Sequence, residues 1–121
     1  MARGLTRSGP RRGEIWMYRF RSPDKRRPVL ILSRPEAIAW LHTVTVAPIT
    51  STIRGLPSEV VVGTEAGLKH DSAVNLDHVQ TVEQAQIERF IGSLNAVRMQ
   101  EVCAALAVAL GCEEAGRSAT H

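Results

Sequence analysis

RRPVLILS, residues 26–33, is the stretch on which the fold turns. From Pro28 onward it runs apolar without a polar break until Ser33. A short continuous apolar run of this kind marks a strand buried on both faces. Pro28 also restricts the residue before it, so Arg27 is held in extended backbone at the mouth of that strand.

Outward from this run the chain is mostly short β signals. Residues 14–20, EIWMYRF, alternate apolar and polar, and residues 42–47, HTVTVA, are β-branched and alternate. Residues 59–62, EVVV, follow a Leu56-Pro57 turn. Residues 72–76, SAVNL, and 78–82, HVQTV, form one bent strand or two, and residues 89–92, RFIG, are the last short candidate. Gly, Pro and Ser punctuate these segments, which together suggest a small antiparallel barrel or a strongly curved sheet. Two helices are expected. Residues 35–41, PEAIAWL, begin with Pro35 in a first-turn position. Residues 96–110 follow Asn95 as N-cap and precede Gly111 as terminator. Met99, Val102, Cys103, Leu106 and Leu110 make one apolar face there, with Cys103 expected in the core. The fold class is therefore mainly β (α+β), with the C-terminal helix packed on the sheet.

The chain has 121 residues, 44% of them apolar and 22% charged. That is one domain's length and a globular composition, which excludes wholesale disorder. No apolar stretch approaches the roughly 18 residues of a membrane span. Cys103 and Cys112 form no CxxC and no zinc-ligand spacing. The basic opening MARGLTRSGPRRGE has no apolar segment after it, so a signal peptide is not expected and the cytoplasm is the default compartment. Residues 1–12 read as a flexible basic arm, 13–111 as the domain and 112–121 as a frayed tail.

Charge is divided unevenly. Residues 1–34 carry a net +8 and residues 35–121 a net −5. A basic third joined to an acidic remainder suggests a polyanion partner on one side, or else a solvated basic leader.

Several chemical signals are weak. His70, Asp71 and Ser72 are consecutive, and three adjacent side chains cannot easily point at one another as a triad requires; they read as a polar loop. The four histidines show no metal-ligand spacing. Two features stand out. The loop RSPDKRR, residues 21–27, presents a guanidinium at Arg27, whose planar fork matches phosphate. In APITST, residues 47–52, a strand stops at Pro48 and offers Thr50, Ser51 and Thr52 in a row, which is also a common turn composition.

GEIW (residues 13–16), RRPVLILS (26–33), VAPITS (46–51), DSAVNLDHVQTV (71–82), IGSL (91–94) and the C-terminal apolar helix occur in an order that resembles the MazF/PemK family of type II toxin–antitoxin toxins. The resemblance covers about residues 12–111. It implies an SH3-like barrel with appended helices, usually a symmetric homodimer. It also implies sequence-selective, metal-independent cleavage of single-stranded RNA with no cofactor, in which the 2′-hydroxyl attacks its own phosphodiester to leave a 2′,3′-cyclic phosphate and a 5′-hydroxyl. The family's catalytic arginine, before the proline of its RP motif, falls on Arg27, and the hydroxyl of its P-I/V/C-T motif falls on Thr50. A cognate antitoxin with an acidic tail is the implied partner.

The chain departs from the family pattern in two places. Some members carry a catalytic Glu in a Gly-Ser-Glu segment before the RP motif, whereas the loop here is shorter and Asp24 is its only acid. Many relatives read Asp-Gln where this chain has Asp77-His78, which makes His78 a candidate RNA contact, acid–base group or surface residue. Lys25, Arg26, Ser51 and Arg54 are the candidate RNA contacts. Two other functions stay open at this level: a gyrase-binding toxin of the same architecture, and an RNA-binding module without activity.

Overall fold

Val29, Leu30 and Ile31 are all fully buried, although successive strand side chains point to opposite faces. The apolar run is therefore covered on both sides. A computed structural model describes residues 9–21 and 25–112. Its elements are β1 (Glu14–Arg19), β2 (Arg26–Ile31), α1 (Pro35–Trp40), β3 (Thr43–Thr50), β4 (Glu59–Val62), β5 (Ser72–Asn75), β6 (Gln80–Glu83), β7 (Ile87–Ser93) and α2 (Ala96–Leu110). The strands form one antiparallel sheet in the order β4-β5-β3-β2-β1-β7, with β6 also paired to β3.

Each face of the sheet has its own core. On one face Leu30, Ile15, Ala47 and Ile49 pack with Val102 and Ala105 of α2. On the other, Val29 and Ile31 pack with Tyr18, Val44 and Val46, and Ile38 of α1 leans on them. Asn95 caps α2 by accepting the Arg98 N–H at 2.9 Å, and Gly111 ends it with φ 75°. Pro35 occupies the first turn of α1.

The sheet curves without closing by strand pairing, since among the described residues no ladder joins β4 to β7. The turn Thr64–Ala66 bridges that gap by docking on β7, backbone against backbone. A Cβ on Gly92 would lie 1.9 Å from the Ala66 carbonyl oxygen, and one on Gly67, where φ is +91°, would lie 2.3 Å from that of Ile91. Two glycines thus allow an approach that side chains would prevent.

Three expectations need correction. β3 does not stop at Pro48 but continues to Thr50. Pro48 pairs with Val29 of β2, while on its other side β3 changes partner from β6, ending at Val46, to β5, starting at Ile49. A residue without an N–H is tolerated at such a gap in a ladder. Secondly, Cys103 is exposed rather than in the core, and Leu110 is exposed with it. Met99, Val102 and Leu106 of the expected face do pack on the core, joined by Ala105 and Ala109, with Val102 and Ala105 the fully buried pair. Thirdly, residues 9–12 of the expected arm are seated on the domain. Pro10 is buried, and the Arg12 guanidinium donates to the Leu32 carbonyl and lies 3.4 Å from Cys103 Sγ. The remaining arm and tail lie outside the described residues. Residues 72–82 make two strands, separated by the turn Leu76–His78. Among the described residues no helix is long and apolar enough to cross a membrane.

Candidate active site

β2 and β3 pair in the register Ile31 to Val46, Leu30 to Ala47 and Val29 to Pro48. Continued two residues, that register sets Arg27 opposite Thr50. Both residues share a face with Val29 and Pro48, because strand side chains alternate. The strands part at this point, so a guanidinium and a hydroxyl from distant parts of the chain stand at one open end of the sheet. Arg27 is exposed and, among the described residues, has no salt-bridge or hydrogen-bond partner. The Thr50 hydroxyl accepts the Thr52 N–H at 3.1 Å, which fixes the oxygen and leaves its own proton to donate. The turn-forming and donor roles of this threonine therefore coexist.

Arg27 and Thr50 line two cavities at once. The first, about 500 Å³, collects the basic side chains Lys25, Arg26, Arg27, Lys69 and Arg89, with no carboxylate in its lining among the described residues. Ser51, His70 and Ser72 add polar groups to it, and Met17, Ile49 and Ile91 give it apolar surface. The second, about 380 Å³, is lined by Phe20, Arg54, Asn75, His78 and Gln80 beside the shared pair.

The surroundings set what each cation can do. Glu88 bridges Arg19 at 3.0 Å and Arg26 at 3.2 Å, so Arg26 is already engaged by an acid. Arg54 sits on a loop organised by Glu59, whose carboxylate accepts the backbone N–H groups of Arg54, Gly55 and Leu56 at 3.1, 3.0 and 3.4 Å. Phe20 packs edge-on against Tyr18 at 4.7 Å between ring centroids. Burial pushes the Tyr18 phenol pKa up and the Glu83 carboxylate adds to this, while the phenol O–H donates to the Glu83 carbonyl at 3.0 Å.

Of the residues singled out in the sequence, Arg27, Thr50, Lys25, Arg26 and Ser51 meet in the first cavity, while Arg54 and His78 join Arg27 and Thr50 in the second. Asp24 lies outside the described residues. His70 and Asp71 lie in a polar loop as read, whereas Ser72 is buried and opens β5. Ser72 Oγ donates to the His70 carbonyl, and the imidazole contacts the carbonyl of Asp71, not its carboxylate. That loop nevertheless brings Lys69 and His70 to the site, and β7 brings Arg89. Neither Lys69 nor Arg89 stood out in the sequence, because both belong to its acidic part and only the fold brings them to the same cavity as Arg27. Phe20 is half-buried at the second cavity, whereas Trp40 and Phe90 are 84% and 50% exposed.

A hollow lined by five basic side chains, faced by the Arg27 guanidinium and the Thr50 hydroxyl, defines a protein suited to grip a phosphate-bearing polyanion. Comparison with known proteins agrees. Residues 11–110 match the family model described as PemK-like, MazF-like toxin of type II toxin–antitoxin system. The chain is 46% identical over 106 residues to the probable endoribonuclease MazF5 of Mycobacterium tuberculosis, covering 85% of this chain and 94% of that protein. The solved Mycobacterium tuberculosis toxin MazF-mt6 superposes with a TM-score of 0.75 at 40% identity, covering 81% of this chain and 96% of its own. An endoribonuclease in complex with its cognate antitoxin from a mycobacterial species superposes with a TM-score of 0.74 at 25% identity, covering 84% and 95%. The chain belongs to the PemK-like, MazF-like toxin family.

Proposed function

We propose that this chain is the toxin of a type II toxin–antitoxin pair, acting in the cytoplasm as a sequence-selective endoribonuclease on single-stranded RNA. Residues 13–111 form its catalytic domain. The observation that carries the reading is Arg27 facing Thr50 on the rim of a hollow with five basic side chains and, among the described residues, no acid in its lining.

The reaction needs no water and no metal. The ribose 2′-oxygen loses its proton and attacks the adjacent phosphorus. The bond from phosphorus to the 5′-oxygen breaks, that oxygen takes up a proton, and a 2′,3′-cyclic phosphate remains. Negative charge gathers on the non-bridging oxygens in the transition state. The Arg27 fork and the Thr50 hydroxyl are donors placed in advance for that charge, and each is worth about 3–4 kcal/mol of barrier. A guanidinium has donors and no acceptor, so the role of Arg27 is to stabilise the phosphate. His78, on the second cavity, is the candidate for proton transfer, with Asp24 the other acid–base candidate. Lys25, Arg26, Ser51 and Arg54 hold the flanking backbone, together with Lys69 and Arg89. The relatives' printed descriptions as endoribonucleases, one of them solved with its antitoxin, support the activity and the partner. A homodimer is the expected assembly.

The test is incubation of antitoxin-free protein with RNA in EDTA. Fragments with 5′-hydroxyl and 2′,3′-cyclic phosphate ends are expected. Intact RNA after prolonged incubation with folded protein, or fragments with 5′-phosphates, would overturn the reading.

A further inference from the structure

The two cavities that share Arg27 and Thr50 differ in chemistry. The first is cationic and suits phosphates. The second offers a ring at Phe20, the neutral amides of Asn75 and Gln80, an imidazole at His78 and one guanidinium at Arg54. Rings and amides are what hold a splayed base in single-stranded RNA, by stacking and by hydrogen bonds to its edge. A strand whose scissile phosphate lies at Arg27 and Thr50 sends its backbone into the first cavity and a neighbouring base into the second.

One side chain in the second cavity has its orientation fixed by the fold. Asn75 ends β5 and caps the turn Leu76–His78, and its Oδ1 accepts the Asp77 N–H at 3.0 Å. That bond turns the amide oxygen toward the backbone and occupies one of its two lone pairs. The Nδ2 group, with two N–H donors, finds no protein acceptor among the described residues. Asn75 therefore offers the cavity chiefly donors. We infer that Asn75 selects the base lodged beside the scissile phosphate, favouring one whose edge presents a carbonyl oxygen, uracil O4 or guanine O6, over one that presents an amino group there, cytosine N4 or adenine N6. That exocyclic position separates the members of each pair. A donor facing an amino group leaves both without an acceptor, which is the arrangement a polar site rejects.

The inference rests on the nuclease reading, and its test separates the two. Asn75→Asp keeps an oxygen to accept from Asp77 N–H and remains a good cap, but replaces the amide donors by a second acceptor. Asn75→Ser keeps an acceptor and removes the donors without adding charge. Wild type and both variants are incubated with a random-sequence RNA pool, and the 5′-hydroxyl ends are sequenced. The wild type is expected to show about tenfold preference for uracil or guanine at one position next to the cleaved bond. Asn75→Asp should move that position toward cytosine or adenine, and Asn75→Ser should flatten it, with other positions unchanged. Cleavage by the variants with the wild-type preference intact at every position overturns the role of Asn75 and leaves the nuclease standing. Should Asn75→Asp be inactive, Asn75→Ser decides alone. No cleavage by the wild type overturns both readings.

Discussion

Arg27 and Thr50 form the shared wall of two cavities, one lined by cations and one by a ring and amides. They are 23 positions apart in sequence and opposite each other in the continued register of β2 and β3. On the proposed reading, a single strand crossing that wall would meet phosphate donors at the crossing point and different chemistry on either side.

The Thr50 hydroxyl has two tasks, accepting from Thr52 N–H and donating outward. Thr50→Ser keeps both and should retain cleavage within about tenfold of wild type, whereas Thr50→Val keeps the shape and should lose about 100- to 1,000-fold in kcat. Single-turnover rates on a short RNA check this. Equal rates for the serine and valine variants would remove the hydroxyl from the mechanism.

Glu88 holds Arg19 and Arg26 at the edge of the basic cavity. Glu88→Ala should shift stability by less than about 1 kcal/mol, because these pairs are partly exposed. It should also tighten RNA binding. The plot of log affinity against log salt, for an RNA with a 2′-deoxy scissile ribose, should steepen by about 0.7 for each arginine released to a phosphate. An unchanged slope would mean that neither arginine reaches RNA.

Gly92 touches the Ala66 backbone where the open sheet is bridged. Gly92→Ala places a methyl group inside that contact and should destabilise by about 3 kcal/mol. Gly9→Ala, where an added Cβ meets nothing within 4 Å, should stay within about 0.5 kcal/mol. Urea midpoints distinguish the two, and equal midpoints would show that the turn does not brace β7.

Tyr18 is the chain's single tyrosine, so phenolate absorbance reports on it alone. Its pKa is raised in the fold from 10.0, chiefly by burial. Above about pH 10 the unfolded chain therefore loses this proton first and binds fewer protons than the folded one. Stability from this group is full below that pH and falls as pH rises through the folded pKa. The native absorbance midpoint should lie above the one in urea, and Tyr18→Phe should flatten the alkaline loss of stability. Coincident midpoints would contradict this.

Much of this architecture was legible because it is local. The run after Pro28, the alternation in residues 42–47, and Asn95 and Gly111 around α2 each signal through neighbours a few positions away. Arg27 and Thr50 were legible through short motifs. What sequence could not supply depends on packing. The choice of Val102 over Cys103 as the buried residue depends on how Ala105 and Ala109 let α2 settle, and helical spacing alone serves either stripe. The continuation of β3 past Pro48 depends on a change of ladder partner that no proline announces. Lys69 and Arg89 reach the cavity only through the fold, Arg89 on β7 beside β1 and Lys69 on the loop before β5, so dividing the charge along the chain left them on the wrong side of the account.

The most direct test of the clamp is a double-mutant cycle on single-turnover RNA cleavage in EDTA, with folding checked by thermal midpoints. Arg27→Ala and Thr50→Ala should each slow cleavage about 100- to 1,000-fold. The double variant should lose less than the product of the two, because both groups act on one phosphate. Either single variant cleaving within about twofold of wild type, or fully multiplicative losses, would contradict a shared grip on the scissile phosphate.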